Sequence, residues 1–564
     1  MNKRVHFGLK GGLIMGKKRY LFLFVTIICL IFLSPKETAS AKIFTGTCGE
    51  NATWTWDKKK EKVVISGTGT VTEVINAGNR AIMTKKIIIE EGITSIEAKG
   101  VFSYIEPDGS VTLKLPDSFE KIGARDFNRI AFVDKLHIPK NVKIIENGSF
   151  LGMDFKEITV SNKNPCFVSK NGVLFSKDFK TLLVYPEYKE GTLYKVPDSV
   201  TKIAPLAFAS NYNIKKVVLP NRLKVLGSGA FSCCHGLKEV NLEDTKIKKL
   251  TDYDGDIFGK YVVGEWDWYY GHEYLPGFDG TDEPFFDEEC GRHRYAGTFE
   301  ATSITYIKFP KTLWYAEGQT FAHSRLKTLV FNEKFHGEIN TGELFNERDS
   351  LQLYLADDLE RVEIPKGNTR YCVEDDILYS KDKKTLYQII RTSRNRNKQK
   401  IVINKKVTRI GTGAFYEFYT KKGFDLVIQG NIEEIGYSAF SWSGINKFRC
   451  NGTIKRLPMG AFYESRIESF ICKEGLECIE AGAFKWCSDL KKIKLGNELK
   501  YIGEEAFYEC VDLEKVILPD TLEEVGKEGF ARCRSLKEIT YPESVRLGKD
   551  VFEECSSKLI RILI

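Results

Sequence analysis

A chain of 564 residues exceeds what one globular core usually encloses, which leaves several domains or an array of repeats. An apolar content of 42%, with 12% aromatic, is ample for folding and excludes a disordered chain. The formal charge of +8 looks basic, but residues 1–41 hold seven Lys/Arg against Glu37; without them the net is about +2, which offers no case for nucleic-acid binding.

Residues 1–41 read as a secretory signal peptide. Lys17, Lys18 and Arg19 form its positive segment, and Leu21 to Leu33 an apolar run of 13 residues, too short to span a bilayer comfortably. Ala39-Ser40-Ala41 supplies the small residues a signal peptidase reads, so cleavage is expected after Ala41. The expectation is export to the cell exterior or surface, with no transmembrane anchor after cleavage. Gly11 to Lys17 has phosphate-loop spacing, yet Lys18 stands where Ser or Thr is needed and no strand precedes it.

Residues 42–84 form a small β module carrying Cys48-Gly49, Trp54 and the run Val63 to Gly69. Repeats then occupy 85–243 and 301–564. An aromatic recurs at Phe127 and Phe150, at Phe208 and Phe231, and at Phe415, Phe440, Phe462, Phe484, Phe507, Phe530 and Phe552, mostly in steps of 22–23 residues and mostly after Ala. Counted from Phe484 and Phe507, apolar residues return six, nine, eleven, fifteen and eighteen places on, and then come Gly503 and Gly526. The alternation at nine and eleven predicts a short half-buried strand, and Pro139, Pro220, Pro519 and Pro542 end it. The glycine is expected to permit the turn into the Ala-Phe segment, where about one helical turn fits. No unit can bury its own apolar face, so stacked neighbours must build one continuous core.

The unit LxxIxLPxxLxxIGxxAFxxC resembles the BspA-type leucine-rich repeat of bacterial surface proteins. That resemblance implies a leucine-rich-repeat solenoid of the curved α/β horseshoe class, mostly β with short helical turns. It also implies adhesion to a host extracellular-matrix or cell-surface protein. Residues 42–84 resemble the amino-terminal module that often precedes such repeats. Asn171 to Phe175 with Lys177-Asp178, and Asp376 to Tyr379 with Lys381-Asp382, resemble the family's hairpin insertions.

Residues 244–300 interrupt the pattern as an insertion. Within 251–300 thirteen acidic residues meet three basic ones, and Trp266, Trp268, Tyr269 and Tyr270 lie among them. Such aromatics either pack the insertion onto the solenoid, or stack on a glycan or anchor a protein partner. Asp252, Asp254 and Asp256 lack the glutamate a calcium loop needs, because Val263 stands there.

Cys234, Cys487, Cys510, Cys533 and Cys555 each fall three residues after a repeat Phe and must stack. A buried free-thiol ladder is expected, with disulfides the alternative. Cys290 and His293 make a lone CxxH, too little for a metal site. Leu518-Pro519-Asp520-Thr521 lacks the glycine of a sorting signal. No motif calls for a cofactor or for catalysis. The candidate binding residues are those expected to face outward from the strands: Lys135, His137, Lys216, Lys492, Lys494 and Lys515. They form either a binding face or a solvated one.

Overall fold

The computed structural model describes residues 43–564 except 79, 98–100, 107–108, 125, 128–129, 131–132, 252–296 and 342–349. The expected signal peptide lies outside the described residues. The chain winds as a β-solenoid of about 19 turns, with a repeat of roughly 23 residues.

Each turn contributes two short strands. In the carboxy-terminal half, Ile445–Cys450, Ser469–Cys472 and Lys492–Lys494 pair in parallel, with Phe448, Phe470 and Ile493 in register. These core-facing rings and side chains alternate with outward residues, as the period of two requires. This front ladder is the strand expected from the apolar spacing. A second, back ladder pairs Arg456–Leu457, Cys478–Ile479, Tyr501–Ile502, Glu524–Val525 and Arg546–Leu547. Its strands are two residues long, with the second residue buried in four of these five, which leaves no alternation to read in a sequence.

The third side is the Ala-Phe segment, and its bonding differs from a helical turn. Glu505, Phe507 and Glu509 donate their N–H groups to Lys527, Gly529 and Ala531 of the next turn. Between them, Ala506, Tyr508 and Cys510 donate three residues back within their own turn. This alternation needs left-handed residues on either side of the Phe; Glu505 (φ 52°) and Glu509 (φ 56°) supply them here, and Ser438 and Trp442 do so around Phe440. Helix among the described residues is confined to three 3₁₀ turns, Leu242–Asp244, Leu353–Leu355 and Asn395–Asn397.

The pattern glycine serves a purpose other than turning freely. A Cβ on Gly503 would stand 2.4 Å from the backbone nitrogen of Ala481 in the preceding turn, and one on Gly526 2.5 Å from that of Glu504. Glycine is therefore required because two backbones touch there.

Phe rings from successive turns stack along the axis, at 5.1 Å for Phe462–Phe484, 5.0 Å for Phe484–Phe507 and 4.8 Å for Phe507–Phe530. These rings are fully buried and form the continuous core that single turns lack. At the strand-end corner, Asn164, Asn332 and Asn368 do what proline does elsewhere. The Asn332 side chain donates to the carbonyls of Pro310 and Leu313 and accepts from the N–H groups of Lys334 and Phe335, so a buried amide is fully bonded.

Two antiparallel hairpins are built into the back ladder. Phe167–Lys170 pairs with Val173–Ser176 across Asn171-Gly172, and Tyr371–Glu374 with Ile377–Ser380 across Asp375-Asp376. All four turn residues are left-handed, as a two-residue hairpin requires. At the amino-terminal end, Ile43–Gly49, Ala52–Asp57 and Lys62–Gly67 form an antiparallel meander, whose last strand starts the front ladder by pairing in parallel with Lys86–Ile89. Trp54 and Trp56 lie buried beneath it.

Candidate binding surface

The front ladder sends alternate side chains outward in register, so residues 22–25 apart in sequence become neighbours about 4.8 Å apart. All six candidate residues described sit on this face, and all are exposed. They do not form one site. Lys135 and His137 share the strand Val133–Ile138, Lys216 stands on Lys216–Val218, and Lys492, Lys494 and Lys515 lie on two strands near the carboxy-terminal end. Trp266, Trp268, Tyr269 and Tyr270 lie outside the described residues.

Much of the positive charge is already matched. Lys135 pairs with Glu157 (3.8 Å), Lys216 with Glu239 (2.5 Å) and Lys515 with Glu538 (2.6 Å), each carboxylate standing one strand further along the ladder. His137 Nδ1 lies 3.0 Å from Thr159 Oγ1 in the same way. Exposed pairs of this kind contribute about 0–1 kcal/mol, so they set the surface charge pattern more than the stability. Lys492 and Lys494 carry no such pair among the described residues.

The front ladder is broken into separate sheets at several turns, one of them the turn that carries the insertion. Glu239–Val240 and Tyr306–Lys308 belong to successive turns but end and begin separate sheets. The Asn241 side chain bonds back to the preceding turn, accepting from Leu219 N–H (2.7 Å) and donating to Leu219 O, and donates also to Asp244. The chain then enters the 3₁₀ turn Leu242–Asp244. The result is an open groove of about 340 Å³ lined by Lys216, Lys238, Glu239, Glu243 and Tyr306 among others.

The insertion itself leaves the solenoid at a narrow neck. Lys249–Leu250 pairs with Tyr315–Ala316, and the Thr298 hydroxyl reaches Thr251 O at 3.3 Å. Residues 244–251 and 297–300, assigned to the insertion on sequence, therefore sit in the repeat turns. Phe299 is a repeat Phe that the sequence reading missed, because the interruption removes the spacing that would reveal it.

The thiol ladder is buried except at its half-buried end, Cys555, and its cysteines are free. Each Sγ donates to the carbonyl of the preceding turn's repeat Phe: Cys487 to Phe462 (3.0 Å), Cys510 to Phe484 (3.2 Å), Cys533 to Phe507 (3.1 Å) and Cys234 to Phe208 (2.9 Å). Burial pushes the Cys487 thiol up to about 12 and raises Cys510 and Cys533 as well. These thiols are structural donors. Among the described residues, no group of three or more His, Cys, Asp or Glu could hold a metal ion, and Cys290 with His293 lies outside them.

Parallel ladders on two sides, a Phe stack between them and a repeat of roughly 23 residues define a leucine-rich-repeat β-solenoid. The BspA type leucine-rich repeat region matches residues 78–170, 188–254, 293–363, 393–484 and 455–564, in six copies, and the chain belongs to this family. No curated protein matches the chain. Among solved structures it is similar to a leucine-rich repeat protein from Eubacterium ventriosum (13% identity, 91% of this chain and 95% of that one, TM-score 0.25). It is similar also to the pneumococcal vaccine antigen PcpA (14% identity, 92% and 89%, TM-score 0.29). A leucine-rich cell surface protein from Faecalibacterium prausnitzii is a further likeness (15% identity, 93% and 96%, TM-score 0.30). No helix among the described residues is long and apolar enough to cross a membrane.

Proposed function

We propose that this protein is a secreted or surface-associated binding protein that engages host or cell-surface macromolecules through the outward face of its front ladder. The observation that carries this reading is the ladder's register. Five consecutive strands, from Lys400–Ile403 to Lys492–Lys494, pair in one parallel sheet whose outward side chains, exposed on three strands and half-buried on two, lie over a core that does not depend on them. Repeat proteins use such surfaces for binding, because outward residues vary without cost to the stack. The role is binding and not catalysis, with no cofactor.

The test is a binding screen of residues 42–564 against extracellular-matrix proteins and glycans, beside a variant lacking 252–296. Protein binding retained by both chains is the expected result. A glycan-binding role for the insertion is the second reading, favoured by its acidic, aromatic composition and by the closeness of its two ends, where Thr298 reaches Thr251. Glycan binding confined to the full chain would select it. Failure of both folded chains to bind would overturn the two readings together.

A further inference from the structure

On parts of the front face a cation stands beside a carboxylate, as in Lys135–Glu157, Lys216–Glu239, Arg361–Glu363 and Lys515–Glu538. Lys114, Lys195 and Lys308 are exposed there without an ion pair among the described residues, and one region gathers four such cations. Lys447 and Arg449 on Ile445–Cys450, and Lys492 and Lys494 on Lys492–Lys494, all point outward and are exposed. The strand between them, Ser469–Cys472, offers only Ser469 and Ile471 to the same face. None of the four cations forms an ion pair among the described residues. The nearest acid in the lattice is Asp425, cross-strand from Lys447 and half-buried, and it makes no pair with it; Glu538, further along, is held by Lys515.

Strand geometry sets the layout. Same-face residues of one strand lie roughly 7 Å apart, and strands two apart are separated by about 10 Å, so the four charges mark the corners of a flat rectangle. Like charges held at such spacings repel one another unless a counter-charge arrives. The four cations lie on an open strand face, and they recur along the solenoid axis as a polymer's charges do. We propose that Lys447, Arg449, Lys492 and Lys494 bind a linear polyanionic polysaccharide laid across the strands. This rests on the reading of the front face as the binding surface and names the partner's chemistry.

Binding of such a polymer draws its free energy largely from released counterions, so it weakens steeply with salt. The test measures residues 42–564 on immobilised heparin, hyaluronan, neutral dextran and poly-glutamate over a range of salt. The variants are Lys492→Glu with Lys494→Glu, the milder Lys492→Gln with Lys494→Gln, and the control Lys58→Gln with Lys59→Gln, two exposed lysines in the turn between the amino-terminal strands. Heparin binding is expected, with little on dextran; the glutamate variant loses roughly tenfold or more in affinity, its salt slope falls by about half, and the control changes by less than about twofold. The glutamine pair keeps the test decisive if charge reversal impairs folding. Absence of heparin binding, equal loss in the control, or preference for poly-glutamate would each overturn the proposal. Matrix-protein binding that survives both lysine variants would leave the front-face reading standing while this inference fell.

Discussion

Phe231 and Phe299 stack with their ring centroids 5.6 Å apart and their planes 11° from parallel, although 45 undescribed residues, 252–296, lie between them in sequence. Phe299 in turn stacks on Phe321 at 5.9 Å, so the core passes through the insertion point without a break. The two Phe are 68 residues apart, and omitting 252–296 leaves 23, the ordinary repeat.

A chain with Thr251 joined to Gly297 is therefore expected to fold with its stack intact. Its thermal midpoint should lie within a few degrees of the parent, because the Phe231–Phe299–Phe321 stack is kept and a shorter connection costs less to close. A loss of cooperative melting, followed by circular dichroism, would show that the insertion supports the solenoid.

Phe507→Ala removes one ring from a stack that continues on both sides. The cost is expected at about 3–5 kcal/mol, since neighbouring turns tied by ladders cannot collapse into the gap. Equilibrium denaturation in urea measures it.

Gly503→Ala is expected to cost more than a helix-propensity argument would suggest, about 1–3 kcal/mol, by driving apart two backbones. The clash is with Ala481 N at 2.4 Å. A neutral result in the same urea titration would mean that the turns separate easily.

Thiol reagents should leave Cys487, Cys510 and Cys533 unlabelled in the native protein at neutral pH, and label them on unfolding. Burial and the raised pKa both keep the thiolate scarce. Mass spectrometry after alkylation decides the matter. Cys510→Ser is tolerated better than Cys510→Ala on this account, because a hydroxyl still donates to Phe484 O.

Burial, with Asp154 adding to it, pushes the Glu187 carboxyl up to about 8. Its folded form holds the proton more tightly than the unfolded chain does. Its stability contribution is thus greatest below the ordinary glutamate value and is lost as pH rises toward about 8. Glu187→Gln is expected to reduce the fall in melting temperature between about pH 5 and about pH 8.5 and to stabilise the alkaline end. An unchanged pH profile would assign the raised value no thermodynamic weight.

While the hairpins were expected from the family resemblance alone, the period, the front strand, the proline corner and the thiol ladder were all legible in the sequence. Each repeats a local pattern that one turn carries whole: alternation at nine and eleven, Pro at twelve, Cys at three. The back ladder was not legible, since Tyr501–Ile502 is too short to show a period. Neither was the bonding of the Ala-Phe side, where Phe507 N–H finds its partner in Gly529 of another turn. The reason for Gly503 and the neutralisation of Lys515 by Glu538 likewise depend on which residues of successive turns meet. Sequence by itself determined that a 23-residue unit recurs and which of its positions are apolar. Only the tertiary structure decided which outward charges are matched and which remain open, because charge pairing in a solenoid acts across a strand spacing and between residues a whole turn apart.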